Sequence, residues 1–545
     1  MGWHFRPSRL LLCCRPAHKA GMEDEPAMGT ENAAYVLSID LGTSGPKVAL
    51  VGASGEIAAS AARSVQTHLI PPDGAEQEPE EIWSAIKSAV QQVVKDAGRP
   101  ADQIVGVSIA SQFSSIVPVG RDGQSLMNLI LWMDGRGAPH ARGIYQEHPG
   151  ALTKWLDVHG VFPLPSGNDS LSHMLWVKQE RPAIYQQTHK FLEAMDFVTA
   201  RLCGSYTANA CTAFMMLLTD NRQLDAVRYD DELVAMSGLD REKLPDLVPV
   251  LSCVGTVCQD VAEELGLTPR TRVFSGVNDT QAVAVGTGTF ERGRGGINIG
   301  TTSQVLAHVG FKRTDVQNQI VSSPSPIPGR YVALAENGIG AKGLDHFLRN
   351  VVFASDALAD HSADDVFGRV EEIVREAPPG SGSLLFLPWL TGSQAPSSNP
   401  KVRGGFLNLS LNTTRAHMVR AILEGVAFSL RWLLPAVERF AEQEFDELHF
   451  AGGGALSDEW SQILADVMNR PVLQLEDSRH VINRAVAFLA FERLGLVELD
   501  DFPKLCRVKR SYEPRPETRG VYDRLFEQFV ASFEQNRPIF EALNS

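Results

Sequence analysis

The chain has 545 residues, enough for two to four domains at roughly 150 residues each, and its 44% apolar content supports sizeable cores. Fifty basic against 65 acidic residues leave a formal charge of −15, which argues against general affinity for nucleic acid or an anionic membrane surface. Seven cysteines in a chain this long do not make a disulfide framework, and Cys253 and Cys258 stand too far from other ligands to read as zinc, so a reducing, cytoplasmic setting is expected.

Residues 1–32 stand apart. Met1 to Ala20 carries Arg6, Arg9, Arg15 and Lys19 and no acidic residue, with a short apolar run from Leu10 to Cys14. That run is shorter than a usual signal-peptide core and far below a membrane span. The segment reads as a disordered leader or an over-long start, because Met22 and Met28 offer alternative starts; an Arg-rich transit peptide is the other reading.

Tyr35 to Ile39 then reads as a buried strand and Val48 to Val51 as a second one. Between them Leu41-Gly42-Thr43-Ser44-Gly45 is rich in turn residues. Its glycines let backbone N–H groups and the hydroxyls of Thr43 and Ser44 approach an anion closely. Asp40, at the strand's end, is placed to hold a divalent cation, and Lys47 adds a positive charge beyond Gly45. No helix pattern follows the glycines and the G-x-x-x-x-G-K-[ST] spacing is missing, which excludes a P-loop. On this stretch alone, an ordinary hairpin with an Asp at its mouth is an equal reading.

Glu56 to Ser64 extends the hairpin into a meander, and Glu76 to Trp83 opens a helix with Pro79 in its first turn. Ile104 to Ala110 is a strand leading into Ser111-Gln112-Phe113-Ser114-Ser115, and Leu129 to Arg136 reads as another strand ending in a polar cluster. Asp134 and Arg136 would face one side of it, either paired with each other or binding a hydroxylated substrate. Phe191 to Leu202 is a strand-to-helix junction. Val273 to Gly286 runs from a strand end through Asn278-Asp279 into a small-residue helix, where Asp279 would serve as N-cap or as a carboxylate aimed into a cleft. Local pattern favours the cap.

Next comes a repeat. Ile297-Asn-Ile-Gly-Thr-Thr302 aligns without a gap on Ile39-Asp-Leu-Gly-Thr-Ser44, and an apolar run follows each. Two strand–Gly-Thr–strand hairpins, one opening each half, suggest a duplicated domain with one polyphosphate held between the turns Gly42 to Ser44 and Gly300-Thr301-Thr302. Glu336 to Gly343 is a glycine-rich lead into a helix from Leu344 to Val352, and Asp356 to Asp365 is an acidic surface segment. Leu384 to Gly392 is a strand into a loop, and Ala416 to Leu434 a long amphipathic helix. Leu448 to Ser457 reads as strand, triple-glycine turn (Gly452, Gly453, Gly454) and N-cap before the helix Asp458 to Met468. Asn483 to Leu494 and Val521 to Phe533 are terminal helices.

Taken together, Ile39 to Gly45, Glu76-Gln77 with Pro79, Leu131 to Arg136, Asn278-Asp279, Asn298 to Thr302, Leu385 to Pro388 with Gly392, Arg403 to Gly405 and Gly452 to Ala455 resemble the FGGY carbohydrate kinases, xylulokinase-like members above all. The resemblance runs from about Tyr35 to Phe533. It implies an α/β fold of two ribonuclease-H-like domains, of the actin/Hsp70-type ATPase kind, flanking a catalytic cleft: residues 33–288 on the sugar side, 289–515 on the nucleotide side, and a C-terminal helix in 516–545. It implies ATP and Mg²⁺, a ketose or polyol as acceptor, and, since dimers are common in the family, a homodimer. It gives Asp279 the role of general base, with Asp40 and Asp279 at the metal. It places Thr43, Ser44 and Lys47 near the γ-phosphate, Gly300 to Thr302 near the β/γ region, and Gly340, Gly343 and Gly452 to Gly454 on the nucleotide. The sugar side would comprise Gln112, Phe113, Ser114, Asp134 and Thr280. Departures cluster there: Phe113-Ser114 replaces the usual Met-His, Thr280 an amide, and Gly392-Ser-Gln-Ala-Pro396 a loop that normally carries two charges. Pro46 is unusual on a return strand, which an edge would tolerate. A sensor of the same fold that binds without catalysis is the alternative; Asp40 and Asp279 are both present, which speaks against it.

Overall fold

The computed structural model describes residues 34–353 and 368–544, so the leader and the acidic segment Asp356 to Asp365 lie outside the described residues. Two sheets organise the chain. The first contains β1 (Tyr35–Gly42), β2 (Gly45–Gly52), β3 (Ile57–Ala62), β4 (Ile104–Ser111), β5 (Cys253–Thr256), β6 (Arg272–Phe274) and β7 (Val277–Asn278). Its order is β5–β6–β4–β1–β2–β3, with β7 also pairing β4. The second contains β8 (Arg294–Ile299), β9 (Thr302–Val309), β10 (Thr314–Asp315), β11 (Ile320–Pro324), β12 (Tyr331–Ile339), β13 (Glu447–Ala451), β14 (Val472–Leu475) and β15 (Val508–Tyr512). Its order is β10–β11–β12–β9–β8–β13–β14–β15.

The repeat seen in the sequence is a repeat of topology. In the first sheet β3, β2 and β1 are antiparallel, β1, β4 and β6 run parallel, and β5 closes antiparallel. In the second sheet β12, β9 and β8 are antiparallel, β8, β13 and β14 parallel, and β15 antiparallel. The two Gly-Thr turns therefore occupy the same place in each sheet, at the tip of a hairpin whose first strand is central.

Because both faces of the first sheet are covered, β1 is apolar nearly throughout. Leu37, Ile39 and Leu41 point into a core shared with helices α1 (Pro79–Ala97) and α2 (Ala194–Cys203). Val36 points to the opposite core, built with Val486, Phe488 and Phe491. Five further helices frame the second half and its junction with the first: α3 (Asp279–Gly286), α4 (Arg415–Ala441), α5 (Asp458–Met468), α6 (Val481–Arg493) and α7 (Arg519–Leu543). Helix α6 lies on the first sheet, where Asn483 Nδ2 donates to Ser38 Oγ at 3.0 Å and Lys47 O at 3.2 Å. Helix α3 is tied to the second, where Gln281 Nε2 donates to Ser323 Oγ at 3.0 Å and Pro324 O at 2.8 Å. The two helices pack closely at Gly286, where a Cβ would lie 2.5 Å from Val481 Cγ1.

Three expectations shift. The strand expected over Leu129 to Arg136 is limited to Leu129–Ile130, because Asp134 N bonds back to Leu131 O at 2.9 Å and turns the chain. Helix α4 runs 27 residues, through Pro435, since burial of Ala436, Val437 and Phe440 outweighs the lost backbone bond. Helix α7 likewise continues through Pro538. The first half also contains a five-stranded sheet, ordered His68–Ile70, Gly74–Gln77, Leu129–Ile130, Ile116–Val119 and Lys190–Glu193.

Candidate active site

The hairpin of β1 and β2 brings Asp40 opposite Lys47. Asp40 is 2% exposed, and Lys47 Nζ lies 3.0 Å from its Oδ2. The negative charge of Asp40 holds the Lys47 ammonium above its ordinary pKa, with Asp279 contributing in the same sense. At the tip, Gly42 faces open space, whereas a Cβ on Gly45 (φ +125°) would lie 2.2 Å from Arg63 O, so that position demands glycine. Ser44 is exposed at the tip. Thr43 differs from expectation: its hydroxyl donates to Gln112 Oε1 and accepts from Trp132 Nε1 at 3.0 Å, and its carbonyl accepts from Gln77 Nε2 at 2.7 Å. Its single hydroxyl proton is committed to Gln112, which leaves Ser44, Lys47 and the backbone for an anion.

Asp279 begins α3, but Asn278 is the cap: its Oδ1 accepts from Thr280 N at 3.0 Å, and Gln281 Oε1 accepts from Asn278 N at 3.0 Å. The expectation of Asp279 as N-cap is corrected by this box: Asn278 is the cap, and Asp279 stands at the first helical position. Asp279 Oδ1 accepts from Thr280 N at 2.6 Å and Thr280 Oγ1 at 3.3 Å. Burial among protein groups, then the charge of Asp40, push its carboxyl up to about 7. Asn278 Nδ2 also bonds Ser111 O at 3.0 Å, fixing α3 to the end of β4. Glu336, on β12, is raised by burial and adds to the negative field at Asp279.

The second hairpin supplies the other wall. Gly300 and Gly453 face open space, with Thr301 exposed between β8 and β9 and Thr302 beginning β9. Gly340 packs on this tip: its N–H bonds Thr301 O at 3.0 Å, and a Cβ would lie 2.5 Å from Thr302 O. Gly343 is buried behind it. Gly452 (φ +88°) and Gly454 pack against β8, where a Cβ on Gly452 would meet Asn298 Oδ1 at 2.5 Å. The glycines thus divide into those that face open space (Gly42, Gly300, Gly453) and those that permit close packing on the second hairpin (Gly340, Gly452, Gly454).

After β4, Gln112 and Ser114 are buried, Ser114 with φ 52°, and Phe113 lies 6.2 Å from the Phe214 ring. Asp134 is the residue the structure removes from open space. It is 1% exposed and accepts from Ala75 N at 2.8 Å and Arg136 N at 2.9 Å, with Arg136 Nη2 at 2.7 Å. Arg136 also bonds Glu76 at 2.6 Å and lies over the Trp176 ring at 4.1 Å. Of the two readings of Asp134 and Arg136, the mutual pairing is the one realised, and the Asp134 oxygens are filled by protein donors; we propose that it serves as a structural anion. Residues that the sequence did not single out as site members are Gln77, Trp132, Gln304 and Glu336. The hairpin register could have found Gln304, which faces Asn298 as Lys47 faces Asp40.

Asp40 and Asp279 offer hard carboxylate oxygens, and among the described residues no cluster of three or more His, Cys, Asp or Glu side chains makes a ready-made cage. That donor set suits Mg²⁺, which is commonly held by one or two carboxylates, water and substrate phosphates.

Comparison with known proteins gives the family. Residues 35–286 match the N-terminal domain, and residues 295–482 the C-terminal domain, of the FGGY family of carbohydrate kinases. Xylulose kinase of Bacillus subtilis (strain 168) is 27% identical over 518 residues, covering 94% of this chain and 99% of that protein. Gluconokinase of the same organism is 26% identical over 446 residues, covering 81% and 84%. The crystal structure of gluconate kinase from Lactobacillus acidophilus superposes with a TM-score of 0.81 at 21% identity, covering 94% of this chain and all of that one, which shows a shared fold. The chain belongs to the FGGY family of carbohydrate kinases.

Proposed function

We propose that the protein transfers the γ-phosphoryl group of ATP to one hydroxyl of a polyhydroxylated substrate, a ketose such as xylulose or a polyol, with Asp279 as general base. The observation that carries this reading is the carboxyl of Asp279, raised to about 7 by burial and by the charge of Asp40 on the first hairpin, and linked through Thr280 to Gln304 on the second. A base with that proton affinity takes a hydroxyl proton near neutral pH more readily than an ordinary carboxylate. Phosphoryl transfer asks mostly for positioning and charge neutralisation, and both are at hand. Lys47 and Ser44 approach the phosphates from the first hairpin, while Gly300, Thr301 and Thr302 present backbone and hydroxyls from the second. Gly453 offers bare backbone to the nucleoside, with Gly452 and Gly454 shaping its turn and Gly340 and Gly343 bracing the second hairpin tip. Asp40 and Asp279 would hold Mg²⁺, which when bound neutralises phosphate charge. Gln112, Phe113 and Ser114 line the acceptor side, where Gln77 and Trp132 fix Thr43.

The two relatives described above are kinases named for xylulose and for gluconate, so the acceptor is a polyhydroxylated chain with its identity open to test. We place the reaction in the cytosol, a setting the cysteine usage supports. The experiment is ADP release with MgATP across xylulose, other ketoses, pentitols, tetritols, glycerol and gluconate. Turnover on one class supports the reading; no turnover on any, with ATP still bound, contradicts it and favours the sensor.

A further inference from the structure

Each hairpin carries one cross-strand pair just behind its tip, where side chains of facing residues meet. In the first it is the charged pair Asp40 and Lys47; in the second it is the amide pair Asn298 and Gln304. Gln304 is 6% exposed and Thr280 is 5% exposed. Asn298 Nδ2 donates to Gln304 Oε1 at 3.4 Å, which turns the Gln304 amide nitrogen away from Asn298. Gln304 Nε2 then donates to Thr280 Oγ1 at 3.2 Å, and Thr280 Oγ1 donates to Asp279 Oδ1 at 3.3 Å.

The direction of this chain follows from donor chemistry. An amide NH₂ only donates, so the Thr280 hydroxyl accepts from Gln304 and its one proton goes to the carboxylate. Thr280 N donates to the same Oδ1 at 2.6 Å. Two donors on Oδ1 fix the rotation of the carboxyl group and leave Oδ2 to receive a proton. From this geometry we propose that Gln304, acting through Thr280, is a positioning residue that orients the Asp279 carboxylate for the acceptor hydroxyl. The inference rests on the assignment of Asp279 as general base.

The test is steady-state kinetics of the full-length protein with MgATP and whichever of xylulose, gluconate and glycerol turns over fastest, comparing Thr280→Val, Thr280→Ser, Gln304→Leu, the Thr280→Val/Gln304→Leu double variant and Asp279→Asn. Losing a hydrogen bond to an ionised group predicts a kcat lower by about tenfold to a hundredfold in Thr280→Val. A smaller loss is expected in Gln304→Leu, with the acceptor KM within about twofold in both. Thr280→Ser should restore kcat, which a packing role for the Thr280 methyl would not allow. The double variant should be no slower than Thr280→Val, because the two residues act in series. A raised KM at unchanged kcat would make Thr280 an acceptor contact and overturn the proposal, as would additive losses or a failure of serine to rescue. Asp279→Asn separates the two levels. If it keeps parental turnover, the base assignment fails; if it is inactive while Thr280→Val is unimpaired, the relay alone fails.

Discussion

Replacing Asp134 by alanine tests whether its carboxylate is structural or faces the acceptor. The substitution removes a buried anion that satisfies Ala75 N, Arg136 N and the Arg136 guanidinium. Breaking such a pair from one side typically costs about 3–5 kcal/mol, because the remaining charge and amides lose their partner. Arg136 keeps Glu76 at 2.6 Å and the Trp176 ring at 4.1 Å, which places the loss toward the lower end. At roughly 2–4 °C per kcal/mol for a half of this size, a loss of about 3 kcal/mol should lower the earliest thermal transition by about 6–12 °C. Calorimetry in the absence of ligand reads this directly. Because the strand Gly74–Gln77 carries Gln77 to Thr43, acceptor kcat/KM should also fall while ADP affinity is kept. A variant with parental thermal stability and a raised acceptor KM would refute the reasoning and return Asp134 to the substrate.

Gly452→Ala places a Cβ 2.5 Å from Asn298 Oδ1 and 2.6 Å from Ile299 O at a backbone φ of +88°. Strain of about 1–3 kcal/mol should displace the turn and raise the nucleotide Kd, measured by ADP titration; an unchanged Kd would remove this turn from the nucleotide site. Asp40→Asn should raise the Mg²⁺ concentration for half-maximal rate by about tenfold or more, and an unchanged metal requirement would count against Asp40 as a ligand. Glu193 is pushed up to about 7 by burial, with Ser170 and Ser115 bonding its oxygens. A carboxyl raised in the folded state favours folding when protonated, and this contribution is lost as pH rises from the unfolded value near 4.5 through about 7. Glu193→Gln should therefore match the parent at pH 4 and exceed it at pH 8 by up to about 3 kcal/mol in urea unfolding; a variant less stable at pH 8 would contradict the sign.

Local patterns made the frame legible. Apolar strands flanking Gly-Thr turns appear in both halves, and the gapless alignment of Ile39 to Ser44 on Ile297 to Thr302 foretells two sheets of the same topology. Burial on both faces of β1 is written in its mostly apolar sequence, broken only by Ser38 and Asp40 before the glycine turn. What local pattern could not show is which polar groups satisfy one another across the fold. Asp279 and Asn278 both suit a cap, and only the box closed by Gln281 decides between them. Asp134 looks like a ligand until Ala75 N and Arg136 reach it from a neighbouring strand and turn. Gln304 and Glu336 lie in apolar stretches, and only the strand register shows that Gln304 reaches Thr280 and that the Glu336 charge is felt at Asp279. Pro435 and Pro538 mark helix ends by local rule, yet both helices continue past them, the first carried by the burial of Ala436, Val437 and Phe440.

The central claim is that Asp279 takes the acceptor proton. Its most direct test is single-turnover phosphoryl transfer by Asp279→Asn beside the parent, with ATP binding measured on the same samples. The account predicts transfer slower by about a hundredfold or more at near-parental ATP affinity. Transfer at the parental rate would contradict it.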